Sequence, residues 1–240
     1  MGIGGWQAGG DGPWGAGDRA DDDAAIAAIR RAVEGGVNWV DTAASYGLGH
    51  SEEVIRRALE PWRVGEEVLV FTKCGHPWHG AEVTTDGRPE SIRVECEGSL
   101  LRLGVDRLDL LQLHHPDPQV PVEESWGAIV GLVEAGKVRW GGVSNLTVEH
   151  LERCEAVAQM TSIQPELNLL RPQAAEDVVP WAAAHGTAVL TYSPLAGGVL
   201  RSNVVEAVSW VLSVKGVTGV ICGARRPEQV DEWLAAGDAA

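Results

Sequence analysis

The sequence predicts a single-domain (β/α)8 barrel over residues 1–240. Three observations lead there. Strand-like and helix-like segments alternate strictly, eight of each, and such alternation requires a parallel sheet with crossover helices. The length is close to the ~250 residues of one such barrel. No linker divides the chain, and eight units favour closure over an open sheet. An open dinucleotide-binding sheet would carry a G-x-G-x-x-G turn; Gly2-Ile-Gly4-Gly5-Trp6-Gln7 lacks the final glycine.

The elements follow from local chemistry. Residues 3–6 form a short apolar start. Asp21-Asp22-Asp23 opens a helix with Ile26, Ile29 and Val33 on one face, because acidic groups suit the exposed N–H groups of a first turn. Gly35-Gly36 ends it. Residues 38–41 read as a strand, and Ser51-Glu52-Glu53 as the cap of a second helix that Pro61 stops. The remaining strands are expected at 68–73, 108–114, 138–144, 162–167, 188–192 and 217–222. The remaining helices are expected at 91–103, 122–135, 147–158, 172–185, 203–213 and 227–236, with Thr147 as one N-cap and Gly136 and Gly186 as stops.

A formal net charge of −15 argues against nucleic acid or an anionic membrane as the main partner. No apolar run reaches the ~18 residues of a membrane span. The start at Met1 lacks the basic and apolar regions of a secretory signal. Cys74, Cys96, Cys154 and Cys222 have no framework spacing, so reduced thiols and a cytoplasmic location are expected. A monomer or small homo-oligomer is expected.

Barrel active sites lie at the C-terminal strand ends. Read in order, those ends carry Asp41, Lys73 and His114, with Tyr46 in the loop five residues beyond Asp41. A lysine placed there is costly unless paired, and Asp41 is the natural partner. Tyr46 beside Lys73 is expected to have a lowered pKa and to act as a general acid, with His114 orienting a carbonyl oxygen. Any one of these residues read singly is a core ion pair, a loop aromatic or a core histidine. Four converging on one face point to chemistry.

The stretch Asp41-Thr-Ala-Ala-Ser-Tyr46-Gly-Leu-Gly-His-Ser51-Glu-Glu resembles the "DTAxxYGxGxSE" signature of the aldo-keto reductases. Further resemblances to that family run through the segments 108–118, 136–145 and 192–200, almost end to end. Gly5-Trp6 with Trp14 is most similar to bacterial reductases of the general-stress and inositol-cluster type.

The resemblance implies a catalytic tetrad of Asp41, Tyr46, Lys73 and His114, an NADP(H) cofactor, and a small carbonyl or alcohol substrate. It implies that Ser144, Asn145 and Gln164 hold the nicotinamide carboxamide and that Tyr192 stacks on the ring. Ser193, Leu195 and Gly197 would approach the pyrophosphate. Gly223, Arg225, Gln229 and Glu232 would serve the adenosine end. Arg225-Arg226 at a helix start makes a local anion site in an acidic chain and favours NADP over NAD.

Three departures stand out. Only Arg201-Ser202 separates Leu200 from the next helix, where family members have a long cofactor-covering loop. That shortening motivates an alternative reading, a cofactor-binding barrel with little turnover. Trp233 stands where Asn is frequent, and the chain starts at strand one without the usual hairpin.

For the substrate, Trp6, Trp78 and His115 are the expected pocket residues. Ten tryptophans against one phenylalanine is an unusual bias: some are expected to line the pocket, and for each, packing in the barrel or against a helix is an equal alternative. Cys74, His76 and His79 with His114 and His115 also raise a metal-dependent hydrolase. Their spacing matches no zinc signature, so no metal is expected.

Overall fold

A computed structural model describes residues 1–10 and 21–237; Trp14 lies outside the described residues. Eight parallel strands close into a barrel. They are β1 (Gly2–Gly4), β2 (Trp39–Asp41), β3 (Leu69–Cys74), β4 (Leu108–Leu113), β5 (Val138–Ser144), β6 (Ser162–Gln164), β7 (Ala188–Thr191) and β8 (Gly219–Gly223). Sequential strands are neighbours throughout, and β8 pairs with β1 to shut the ring.

The helices are α1 (Asp22–Glu34), α2 (His50–Ala58), α3 (Pro89–Leu103), α4 (Val122–Glu134), α5 (Val148–Glu155), α6 (Val178–His185), α7 (Val204–Ser213) and α8 (Pro227–Gly237). None of the described helices is long and apolar enough to cross a membrane.

The expected alternation is thus observed, with shorter β6 and α6 than the sequence suggested. Residues 172–177 form a 3-10 turn and a loop before α6 begins at Val178. A two-stranded antiparallel hairpin, Trp78–His79 with Glu82–Val83, was not expected. The Asp21 side chain accepts from the Ala24 N–H, and Thr147 accepts from His150, so both act as N-caps.

Ser51 does not cap α2. Gly49, in the left-handed region, takes that position. The Ser51 hydroxyl instead donates to the Gly5 carbonyl at 2.7 Å and lies 2.8 Å from Thr42 Oγ1, pinning the loop after β2 to the loop after β1.

Side-chain alternation sorts the strands into two shells. One face of each strand packs outward against the helices, in a core that includes Val40, Leu111, Val143 and Ile163. The other face fills the barrel with Trp39, Phe71, Leu110, Leu190 and Ile221, and Trp39 stacks on Phe71 at 5.1 Å. Two residues further along the same inner faces stand Asp41, Lys73 and Gln112. An apolar plug therefore carries a polar layer directly above it.

Candidate active site

Register places the polar layer. Asp41 pairs with Phe71 across β2–β3, and Lys73 pairs with Gln112 across β3–β4. Lys73 Nζ donates to an Asp41 carboxylate oxygen and, at 2.9 Å, to the Thr42 carbonyl. The other Asp41 oxygen accepts from Gln164 Nε2 at 2.8 Å and from Gln112 Nε2 at 3.3 Å. Asp41 and Lys73 are almost completely buried. A buried ion pair needs this full satisfaction of its remaining lone pairs and protons to be tolerated. Gln112 was missed as a site residue; its one signal was a polar side chain inside the apolar run 108–113.

Tyr46 reaches this layer from the loop after β2. Its N–H bonds the Ala43 carbonyl and its carbonyl accepts from Ser51. Gly47 follows with φ 58°, and a Cβ there would collide with the Gly9 backbone, so only glycine lets the two loops touch. Lys73 Nζ lies 5.3 Å from the centre of the Tyr46 ring, and the phenol is within hydrogen-bonding reach of the ammonium. The ring meets His114 edge-on at 5.7 Å. The four tetrad residues are therefore together.

One electrostatic expectation is reversed. Burial pushes the Tyr46 phenol above its ordinary value; Lys73 opposes this, but Asp41 adds to the rise. The phenol keeps its proton at neutral pH because desolvating a phenolate outweighs a cation already neutralised by its carboxylate. Burial also works against the Lys73 ammonium, but Asp41 and Tyr46 together outweigh it and the pKa is raised. Burial, reinforced by Lys73, holds His114 well below the usual histidine range, hence neutral. The site presents a protonated phenol, an ammonium–carboxylate pair and a neutral imidazole.

His114 belongs to a cluster of three. His76, buried in the loop after β3, and His115 stand 5.1 Å and 4.8 Å from it between ring centres. His76 Nδ1 faces the Thr84 carbonyl at 3.2 Å and Nε2 faces His115 Nδ1 at 2.9 Å. A carbonyl can only accept, so His76 Nδ1 carries the hydrogen. Burial holds His76 neutral, so its Nε2 offers a lone pair to which His115 Nδ1 donates. Glu95 on α3 fixes the loop by accepting from the Gly75 and His76 N–H groups.

Comparison with known proteins decides the family. A sequence profile described as "Aldo/keto reductase family" matches residues 1–207. The chain belongs to the aldo/keto reductase family.

It is 36% identical to the aldo-keto reductase YhdN of Bacillus subtilis over 206 residues, 86% of this chain and 61% of that protein. The chain thus spans less than two thirds of that relative's length. An uncharacterised oxidoreductase of Schizosaccharomyces pombe is 32% identical, covering 97% of this chain and 79% of the relative. Among solved structures, the glycerol dehydrogenase from Gluconobacter oxydans superposes with a TM-score of 0.87 at 33% identity, covering 98% and 85% of the two chains. An aldo/keto reductase from Klebsiella pneumoniae in complex with NADP and acetate gives 0.82 at 29%, covering 99% and 85%.

The residues that the family resemblance linked to a dinucleotide lie along the ends of β5 to β8. Ser144, Asn145, Gln164 and Tyr192 are tied to one another. Ser144 Oγ donates to the Gln164 carbonyl, Asn145 Nδ2 to the His114 carbonyl, and the Tyr192 hydroxyl to Asn145 Oδ1 at 2.8 Å. Asn145 and Ser193 hold φ values of 58° and 55°, a left-handed conformation that costs a non-glycine residue of order 1 kcal/mol or more. Leu195 caps a 3-10 turn at Ala196–Gly198 that contains Gly197, and a second turn follows at Arg201–Asn203.

At the start of α8, Gln229 Oε1 accepts from the Arg225 N–H at 2.8 Å, and the Arg225, Arg226 and Glu232 side chains are exposed. A Cβ on Gly223 would run into the amide of Gln7, whose Oε1 is buried without a partner. Gln7 was not foreseen as a site residue. Trp233 is 1% exposed beneath α8 with Val230 and Ala236, so the departure at that position is one of packing.

The expected substrate residues part company. Trp6 is 44% exposed in the turn after β1. His115 joins the histidine cluster. Trp78 stands on the hairpin with its ring 5.2 Å from the Arg102 guanidinium, which in turn bonds buried Glu52 between α2 and α3. The cation draws this indole onto the helix side. Most of the described tryptophans, among them Trp39, Trp126, Trp181 and Trp233, pack in the core.

Proposed function

We propose that this chain reduces an aldehyde or ketone with NADPH, or runs the reverse oxidation of an alcohol or sugar. One observation carries the reading: Asp41, Tyr46, Lys73 and His114 converge on the inner layer at the C-terminal strand ends. The fit of a dinucleotide rests on the orphaned Gln7 Oε1 beside Gly223 and on the two strained residues, Asn145 and Ser193. Such strain marks a backbone positioned for a ligand. Ser144, Asn145 and Gln164 would hold the carboxamide and Tyr192 the ring face. Ser193, Leu195 and Gly197 would approach the pyrophosphate, with Arg225, Gln229 and Glu232 at the adenosine end.

When bound, a reduced nicotinamide supplies hydride to the carbonyl carbon. Tyr46 holds a proton on its phenol and gives it to the carbonyl oxygen. Neutral His114 donates an N–H to that oxygen and sets its direction. The Lys73–Asp41 pair stabilises the phenolate left behind without adding net charge. Four buried thiols fit a reducing, cytoplasmic compartment. The Gly5-Trp6 start supports the narrower kinship with bacterial general-stress and inositol-cluster reductases.

Tyr46→Phe is expected to lower kcat at least ~100-fold while NADPH binding, read by tryptophan quenching, stays intact. Normal turnover in that variant refutes the assignment. The short 196–203 segment favours a second reading, a barrel that binds NADPH but turns over little. Tight binding with no turnover across a broad carbonyl panel would select it.

A further inference from the structure

The histidine cluster at the barrel mouth has a geometry that carbonyl reduction by the tetrad does not require. His76, His114 and His115 come from two loops, those after β3 and β4, and their ring centres form a near-equilateral triangle of 4.8–5.1 Å sides. Each offers a nitrogen, and the three nitrogens lie within 4.8 Å of one another. In a tetrahedral zinc site, metal–nitrogen bonds of ~2.0–2.1 Å put the ligand nitrogens about 3.3 Å apart. His76 Nε2 and His115 Nδ1 stand at 2.9 Å already. To accept the ion, His76 and His115 part slightly, His115 carries its hydrogen on Nε2 instead of Nδ1, and His114 closes in.

The contacts behind His76 are also those of a metal ligand. The Thr84 carbonyl fixes the His76 tautomer so that Nε2 faces the cluster, with Thr85 Oγ1 at 3.4 Å from the same Nδ1. Glu95 holds the His76 backbone. A carbonyl behind the ring N–H, as at His76, is the usual way a protein presents imidazole to a metal.

We propose that His76, His114 and His115 form an inhibitory site for a divalent transition metal of the zinc class. The fourth position is left to water or to the oxygen of a small ligand. The metal takes the imidazole of His114, so it competes with the carbonyl compound and not with the dinucleotide. Binding itself is independent of the reductase reading; only the inhibition rests on it.

The test is Zn2+ binding to chelator-treated, tag-free protein by equilibrium dialysis with elemental analysis, and the visible absorption of the Co2+ form. One metal per chain is expected. His115→Gln and His76→Gln are each expected to weaken binding about tenfold or more while circular dichroism stays that of the native fold. His115 is half-exposed, so its variant keeps the test readable if His76→Gln fails to fold. No stoichiometric metal, or unchanged affinity in His115→Gln, overturns the site. Metal bound as expected, with no carbonyl turnover to inhibit, would refute the reductase reading and leave the site standing.

Discussion

Glu95 shows how one buried carboxyl holds the geometry around the tetrad. It sits on α3 and clamps the backbone of Gly75 and His76, immediately beyond Lys73. Burial pushes its carboxyl from 4.5 up to about 7, against the pull of those two N–H groups. In the folded chain it therefore binds a proton that the unfolded chain has already released between about pH 4.5 and 7. The native state binds more protons there, so this residue makes stability fall as pH rises through that window. Glu95→Gln, with no proton to lose, is expected to flatten that decline in Tm between pH 4.5 and 7. An unchanged slope would show that the carboxyl titrates as it would in water. Tyr46 corrects the expectation of a lowered phenol pKa: its proton is held by burial, and the neighbouring cation does not strip it off.

At the scale of the element, helix starts and strand ends share the work. Thr147 caps α5 two residues after Asn145, so the same turn that opens the helix positions a strained site residue. Thr147→Ala is expected to destabilise the fold by about 1 kcal/mol. For a chain of this size that lowers Tm by ~2–4 °C. A loss below experimental error would mean that the His150 N–H finds another acceptor. Helix boundaries written in local chemistry were legible: Asp21, Thr147 and Gly186 did what their residue types suggest. Boundaries written in tertiary contacts were not. Ser51 looks like a cap, yet its hydroxyl is drawn to Gly5, 46 residues away. The 78–83 hairpin carries no alternation long enough to register as strand, and the contact of Trp78 with Arg102 was equally illegible, because the two are remote in sequence.

At the scale of the molecule, the barrel separates an apolar plug from the polar layer, and the strands at whose ends a dinucleotide would lie, β5 to β8, form one half of the ring. A ligand that binds only the folded state stabilises it by about 2.7 kcal/mol at ~100 times its Kd. NADPH at that excess is therefore expected to raise Tm by about 5 °C or more. NADH at the same concentration should do less, because Arg225 and Arg226 would meet no 2′-phosphate. No shift with NADPH, measured by differential scanning calorimetry, would remove the cofactor from the proposal. The short turns at 196–203 make this the sharpest test, since less chain covers the groove than in a protein with a long loop there.

Strict alternation, polar residues at successive strand ends and the Asp41–Ser51 motif determined the barrel and the tetrad, because each is carried by spacing along one strand or one loop. Which hydrogen bonds satisfy Asp41, which way the Tyr46 proton equilibrium lies, and that His76 meets His114 and His115 were decided only by the closed ring. Burial and contact between strands depend on neighbours that the chain brings together in space, and desolvation, the largest influence on Tyr46 and the three histidines, exists only once they are enclosed.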